Sequence, residues 1–331
     1  MSFSVLGLTV YPYGLCCGLG MLAMLLWLLK TGKKPGDAGR FAVLLLVCGI
    51  VGARILYCAV HVSDYLEDFG NGWLMLRFFD GGFSMIGLLL GLLLACLWQS
   101  RLSGTSFGKT LDRIVGALPL LVAALRGGEC FTELGVGKIV HPGGITESLP
   151  WLFVQSRMGK AVEYRMNVRL YEIIAAGIIF VVMLCFSKRL AAYDGCLGAL
   201  FFVLYGGTQI LLESLRDDGH MLVIFLRIGQ LGAAIMLLCA FAAMRRRARR
   251  LGSLGIGESI VRWTVLLLGI GLAVLVEFSL DGRLVLGTPT VLRDYLVLGA
   301  VCIALMTVAL RTLADACRLS AKEEAANESA D

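Results

Sequence analysis

Charged side chains are scarce in this chain, filling 16% of 331 positions against roughly a quarter in an ordinary soluble domain. With 58% hydrophobic residues and a mean hydropathy of +0.82, that shortage excludes a soluble globule. Histidine is nearly missing as well, and His61, His141 and His220 stand far apart. The sequence contains no CxxC pair, no Cys/His ligand spacing, no phosphate-binding glycine loop and no internal repeat, so neither a metal nor a cofactor is expected. Most of the 11 cysteines lie in or beside apolar runs, where a free thiol packs as a small hydrophobe. Cys130, set among polar residues, is the exception. No cleavable leader is expected, because the amino end lacks a basic region and its first apolar run is long enough to span.

Apolar runs take up the space that charge leaves. Crossing a bilayer takes about 20 mostly apolar residues, and candidates lie at 9–29, 41–61, 82–100, 112–128, 170–187, 194–213, 221–243, 260–279 and 295–313. They predict an all-α integral membrane protein, a polytopic helical bundle of about nine spans. Cations collect in alternate loops: Lys30, Lys33, Lys34 and Arg40, then Arg101, Lys109 and Arg113, then Lys188 and Arg189, and finally "RRRARR" at 245–250. Short cytoplasmic loops gather Lys and Arg, so the amino terminus is expected outside and the carboxyl terminus inside. The same loops account for most of the net charge of +6, so nucleic-acid binding is not expected.

Ionisable groups inside spans are costly and usually face the bundle interior. Here they fall at helical spacing. Arg54, Tyr57 and His61 lie at i, i+3, i+7 at the outer end of the second span, on one face. Arg126, Glu129 and Glu133 repeat that pattern at the end of the fourth, Gln209, Glu213 and Arg216 close the sixth, and Arg227 and Gln230 open the seventh. The loop-charge orientation puts all of these sets at the outer face. One reading is interhelical ion pairing. Another is a cavity for an anionic lipid head group, since the Arg fork donates two hydrogen bonds to phosphate and stays charged when partly dehydrated. An ion or solute path fits less well, because it calls for polar residues near the bilayer middle. The longest external stretch, about 129–168, holds β-like runs such as "WLFVQ" and predicts a small head segment.

Four stretches in order, "GARILYCAVH" (52–61), "FDGGFSMIGLLLG" (79–91), "LRGGECFTELGVG" (125–137) and "LYGGTQILLESLRDDG" (204–219), resemble the bacterial phosphatidylglycerol:prolipoprotein diacylglyceryl transferase family. "YPYGL" (11–15), "LYE" (170–172) and "RIGQL" (227–231) add to the resemblance, which covers the chain to about residue 245. The apolar runs beyond it predict two additional carboxyl-terminal spans at 251–318, and the polar composition of 319–331 predicts a disordered cytoplasmic tail; the resemblance itself implies a seven-span core at 1–250 in a bacterial inner (plasma) membrane. It also implies transfer of a diacylglyceryl group from phosphatidylglycerol to the lipobox cysteine of prolipoproteins, with that lipid and prolipoprotein signal peptides as partners.

Carried over residue by residue, the resemblance makes Arg126 the lipid-binding Arg. Glu213 and Arg216 become the acid and following Arg of the sixth span, Arg54 the Arg of the second, and Tyr13 the Tyr of the first. Gly81, Gly82 and Ser84 correspond to an entrance that lines the family's catalytic cavity, where Asp80 also offers a helix cap. Glu133 aligns with a family Glu across a one-residue gap, Gly137 aligns with a family Gly without it, and Gln230 falls in the Gly-Gln element. The chain departs from the family at three positions: Ile86 stands where the family has a His thought to help activate the thiol, Gln209 replaces an Arg, and Glu129 replaces an Asn. Two readings follow. In one, a divergent enzyme takes its proton acceptor from Glu129 or His61 and holds phosphate with Arg54, Arg126 and Arg216. In the other, an altered or non-catalytic relative binds anionic lipid or lipoprotein precursors.

Overall fold

The computed structural model describes residues 3–5, 8–32, 35–68, 72–77, 81–141, 143–158, 161–190, 193–217, 222–223, 226–251, 255–284 and 291–328. Asp80, His220 and the end of the tail lie outside these. The helices, in chain order, are α1 (Pro12–Thr31), α2 (Pro35–Val60), α3 (Met85–Ser103), α4 (Phe107–Val115), α5 (Leu118–Glu129), α6 (Gly144–Ser148), α7 (Val168–Leu190), α8 (Cys196–Leu215), α9 (Ile228–Arg250), α10 (Ile256–Leu280) and α11 (Val291–Glu328). Strands β1 (Phe3–Val5) and β2 (Leu8–Val10) form a hairpin. Strands β3 (Ile139–Val140), β4 (Phe153–Met158) and β5 (Ala161–Met166) form an antiparallel sheet in the order β3-β5-β4. A last hairpin pairs β6 (Leu222–Val223) with β7 (Leu226–Arg227).

Among the described residues, 8 helices are long and apolar enough to cross a membrane: α1, α2, α3, α7, α8, α9, α10 and residues Val291–Leu319 of α11. The all-α polytopic expectation holds, and the difference from about nine spans comes at 112–128. That run is two short helices, α4 and α5, broken at Gly116 and Ala117. Pro119, in the first turn of α5, has no N–H to continue a helix from α4, and a Cβ on Gly116 would overlap the Trp27 ring. Trp27 Nε1 donates to the Arg113 carbonyl at 3.0 Å, satisfying an acceptor that the break exposes. Two further boundaries moved. The span expected from 221 begins at Ile228, after the β6–β7 hairpin, and α11 runs on to Glu328 through the tail expected to be disordered. Its sequence "AKEEAANE" is rich in strong helix formers.

The chain divides into two compact units, Met1–Phe180 with Leu215–Gly229, and Val181–Ser214 with Gln230–Asp331. In the first, α2 and α3 cross closely because a Cβ on Gly52, Gly87 or Gly91 would run into the partner helix's backbone, the small-residue packing common in membranes. Helix α1 lies on α5, with Gly20 against Leu121 and Ala124. In the second unit, α8 is largely enclosed, with Gly206 against α9 and Gly207 against Met306 of α11. Phe241 of α9 meets Trp263 of α10 edge to face at 4.9 Å.

Candidate functional site

In the first unit four ionisable side chains from three parts of the chain form a closed ring. The i, i+3 spacing at the end of α5 puts Arg126 and Glu129 on one face, with Arg126 Nη1 2.5 Å from Glu129 Oε1. Glu172, in the first turns of α7, bridges both cations, Oε1 to Arg126 Nη2 at 3.0 Å and Oε2 to Arg216 Nη1 at 3.4 Å. Arg216, just beyond α8, closes the ring at 3.6 Å from Glu129 Oε2. Each residue is buried: Arg126 4% exposed, Glu129 7%, Glu172 2% and Arg216 3%. Charges so enclosed persist only when paired.

Two more arginines stand beside the ring. Arg169 Nη1 donates to the carbonyls of Glu129, Thr132 and Leu134 at 2.8, 3.0 and 3.4 Å. It thereby caps the carboxyl end of α5, where free carbonyls and the helix dipole favour a cation. Arg227 Nη2 donates to the Arg216 carbonyl at 2.6 Å. Close backbone contacts shape the same place. Gly135, at φ +75°, leaves no room for a side chain, since a Cβ would stand 2.6 Å from Glu129 Oε2. That oxygen is buried and makes no hydrogen bond among the described residues.

Arg216 is held by strand-like pairing: it bridges Gly137, and the amides of Lys138 and Asp217 donate to the carbonyls of Leu215 and Val136 at 3.1 and 3.0 Å. Gly137 is therefore packed against backbone, a Cβ there falling 2.7 Å from the Leu215 carbonyl. Tyr13 lies against Gly128 on the last turn of α5. Glu133 is exposed on the turn after α5, outside the ring.

Arg54 is occupied elsewhere. It is 3% exposed, and its guanidinium donates to the carbonyls of Met75, Leu74, Gly82 and Gly81, the first three at 3.0, 3.1 and 3.2 Å. Its donors anchor the loop before α3, whereas the spacing had suggested a phosphate clamp. Gly81 and Gly82, at φ +81° and +73°, turn those carbonyls inward, and a Cβ on Gly82 would stand 2.5 Å from the Tyr57 ring. Ser84 caps α3 by accepting from the Gly87 amide at 3.2 Å, the role that Asp80 had offered. His61 stacks on Tyr57 with centroids 4.2 Å apart, and its Nδ1 donates to the Tyr57 carbonyl at 3.0 Å. Ile86 lies half-buried in the first turn of α3.

In the second unit, Gln209 and Glu213 lie one turn apart on α8, Gln209 buried and Glu213 half-buried. Gln230 of α9 donates to the Ile210 carbonyl at 3.4 Å. Ser214 donates from Oγ to Glu277 of α10 at 2.7 Å. The site residues that sequence reasoning missed are Glu172 and Arg169. Their signal was an Arg and a Glu three apart at the head of an apolar span, the same pattern that marked Arg126 and Glu129.

Residues 1–246 match the prolipoprotein diacylglyceryl transferase family. Phosphatidylglycerol–prolipoprotein diacylglyceryl transferase of Clostridioides difficile strain 630 is 28% identical over 226 residues, 67% of this chain and 85% of the relative. The enzyme of that name from Stenotrophomonas maltophilia strain R551-3 is 30% identical over 66% of this chain and 81% of its own. That from Thermotoga maritima is 27% identical over 72% and 81%.

Proposed function

Because the chain belongs to the prolipoprotein diacylglyceryl transferase family, a family of transferases, we propose that it is a divergent active member. It moves a diacylglyceryl group from phosphatidylglycerol to the lipobox cysteine thiol of prolipoproteins and releases glycerol phosphate. The observation that carries this reading is the buried ring of Arg126, Glu129, Glu172 and Arg216, drawn from three parts of the chain.

The reaction needs a thiolate, because the thiol itself is a poor nucleophile. Glu129 Oε2, buried and without a hydrogen bond among the described residues, is the proton acceptor in this reading and stands in for the base missing at Ile86. The sulfur attacks the glyceryl carbon that bears the phosphate, the S–C bond forms, and the C–O bond breaks with its electron pair leaving on the phosphate. Arg126 and Arg216 face that departing charge, with Arg169 and Arg227 holding the backbone beside them. Preorganised cations of this kind act where charge develops. Glu172 holds the two clamping guanidiniums at a fixed separation. The loop charges supply the setting, with the amino terminus outside a bacterial inner membrane.

Ile86 and Gln209 favour a second reading, a relative that binds anionic lipid or lipoprotein precursors without transfer. One assay separates the two. Protein purified in detergent is given phosphatidylglycerol and a lipobox peptide, and the peptide is weighed by mass spectrometry. A diacylglyceryl adduct that vanishes in a folded Arg126→Ala variant supports the enzyme. No adduct beside a working control enzyme leaves the binding reading.

A further inference from the structure

Helices α10 and α11 lie beyond the matched residues 1–246, and their contacts with α8 are not all apolar. Glu277, near the end of α10, is 8% exposed and accepts from the Ser214 hydroxyl at 2.7 Å. From the start of α11, Tyr295 donates its hydroxyl to the Ser214 carbonyl at 3.3 Å. Ser214 is itself 1% exposed and follows Glu213 directly in the last turn of α8. An acid buried in a span is costly, and apolar contacts such as Met306 against Gly207 already dock the extension. The polar contacts converge on the one turn of α8 that carries Glu213, where carbonyls lack partners within the helix.

We propose that Glu277 and Tyr295 are positioning residues: through Ser214 they fix the last turn of α8 and with it Glu213, the acid that the family resemblance marks on that turn. The inference rests on the transferase reading for its effect on rate, and on geometry alone for its effect on α8. Ser214 donates a hydrogen bond to Glu277, so Gln, whose amide oxygen still accepts, is the conservative replacement and Ala the disruptive one.

The test compares full-length wild type with Glu277→Ala, Glu277→Gln and Tyr295→Phe, by steady-state transfer and by hydrogen exchange of the α8 amides. For Glu277→Ala, kcat is expected to fall about tenfold with KM for lipid nearly unchanged, as a misplaced group costs rate more than binding. Exchange should quicken in the last turn of α8 and stay constant in the middle of α10. Glu277→Gln should restore most of both, and Tyr295→Phe should show a smaller loss. Unchanged exchange at the end of α8 in a folded Glu277→Ala protein overturns the proposal, as does a Gln variant no better than Ala. If Glu277→Ala does not fold, Ser214→Ala removes the same bond from the other side and is read identically. Wild-type protein without transfer defeats the transferase reading alone, because the exchange comparison still decides the positioning role.

Discussion

Replacing Glu129 by Gln separates chemistry from binding, because the two should move in opposite directions. The amide oxygen keeps an acceptor for Arg126 Nη1, which lies 2.5 Å from Glu129 Oε1, while the pair with Arg216 is lost. The proton acceptor is lost, and removal of a general base typically costs about 10²–10⁴-fold in kcat. Binding should tighten, since the carboxylate repels an arriving phosphate. At an effective dielectric of about 20, two anions about 5 Å apart repel by about 3 kcal/mol. With the surrounding guanidiniums absorbing part of that, phosphatidylglycerol affinity should rise roughly tenfold, or about 1.4 kcal/mol. Single-turnover transfer measures the first effect, and lipid titration of the detergent-solubilised variant the second. An unchanged single-turnover rate refutes Glu129 as the base. Weaker lipid binding refutes the idea that its carboxylate competes with phosphate, and makes it a support for Arg126.

Other parts of the structure carry their own tests. Glu172→Ala leaves Arg126 and Arg216 sharing one carboxylate, and removing one partner of a buried ion pair should cost about 3–5 kcal/mol, read as a lowered thermal midpoint in detergent. Gly82→Ala forces a Cβ onto a φ of +73° and to 2.5 Å from the Tyr57 ring. It should cost about 2 kcal/mol or more and speed hydrogen exchange in residues 72–77, where Arg54 holds the carbonyls of Leu74 and Met75.

Hydropathy made the apolar helices legible, because a run of about 20 apolar residues has few other uses. It could not show the break between α4 and α5, since averaging over a window hides Gly116, and the indole that fills its place comes from Trp27, far away in sequence. In the site, Arg126 and Glu129 were readable from spacing because both partners lie on one helix. Glu172 was quoted only within a weak stretch of resemblance, as its partners lie on α5 and beyond α8. Spacing marked Arg54 as well, but a guanidinium's partners are not written in its spacing, and here they are loop carbonyls. Glu277 carried no signal beyond being an acid near the end of a span.

The resemblance implies a histidine at the position of Ile86, and that implication can be tested by placing one there. Ile86 is half-buried in the first turn of α3, after the Ser84 cap, so His should fit at modest cost. If Glu129 already serves as base, Ile86→His alone should change kcat by no more than about twofold, because a second acceptor adds little to a transfer already served. In the Glu129→Gln background the same substitution should recover at least about tenfold of the lost rate. The recovered activity should rise with pH through the imidazole range near 6.5, since only the neutral ring accepts a proton. Rescue with that pH profile means that positions 86 and 129 serve the same thiol from different helices. A folded double variant as slow as Glu129→Gln would show that α3 and the ring serve different steps, and that Glu129 does not do the work of a base at position 86.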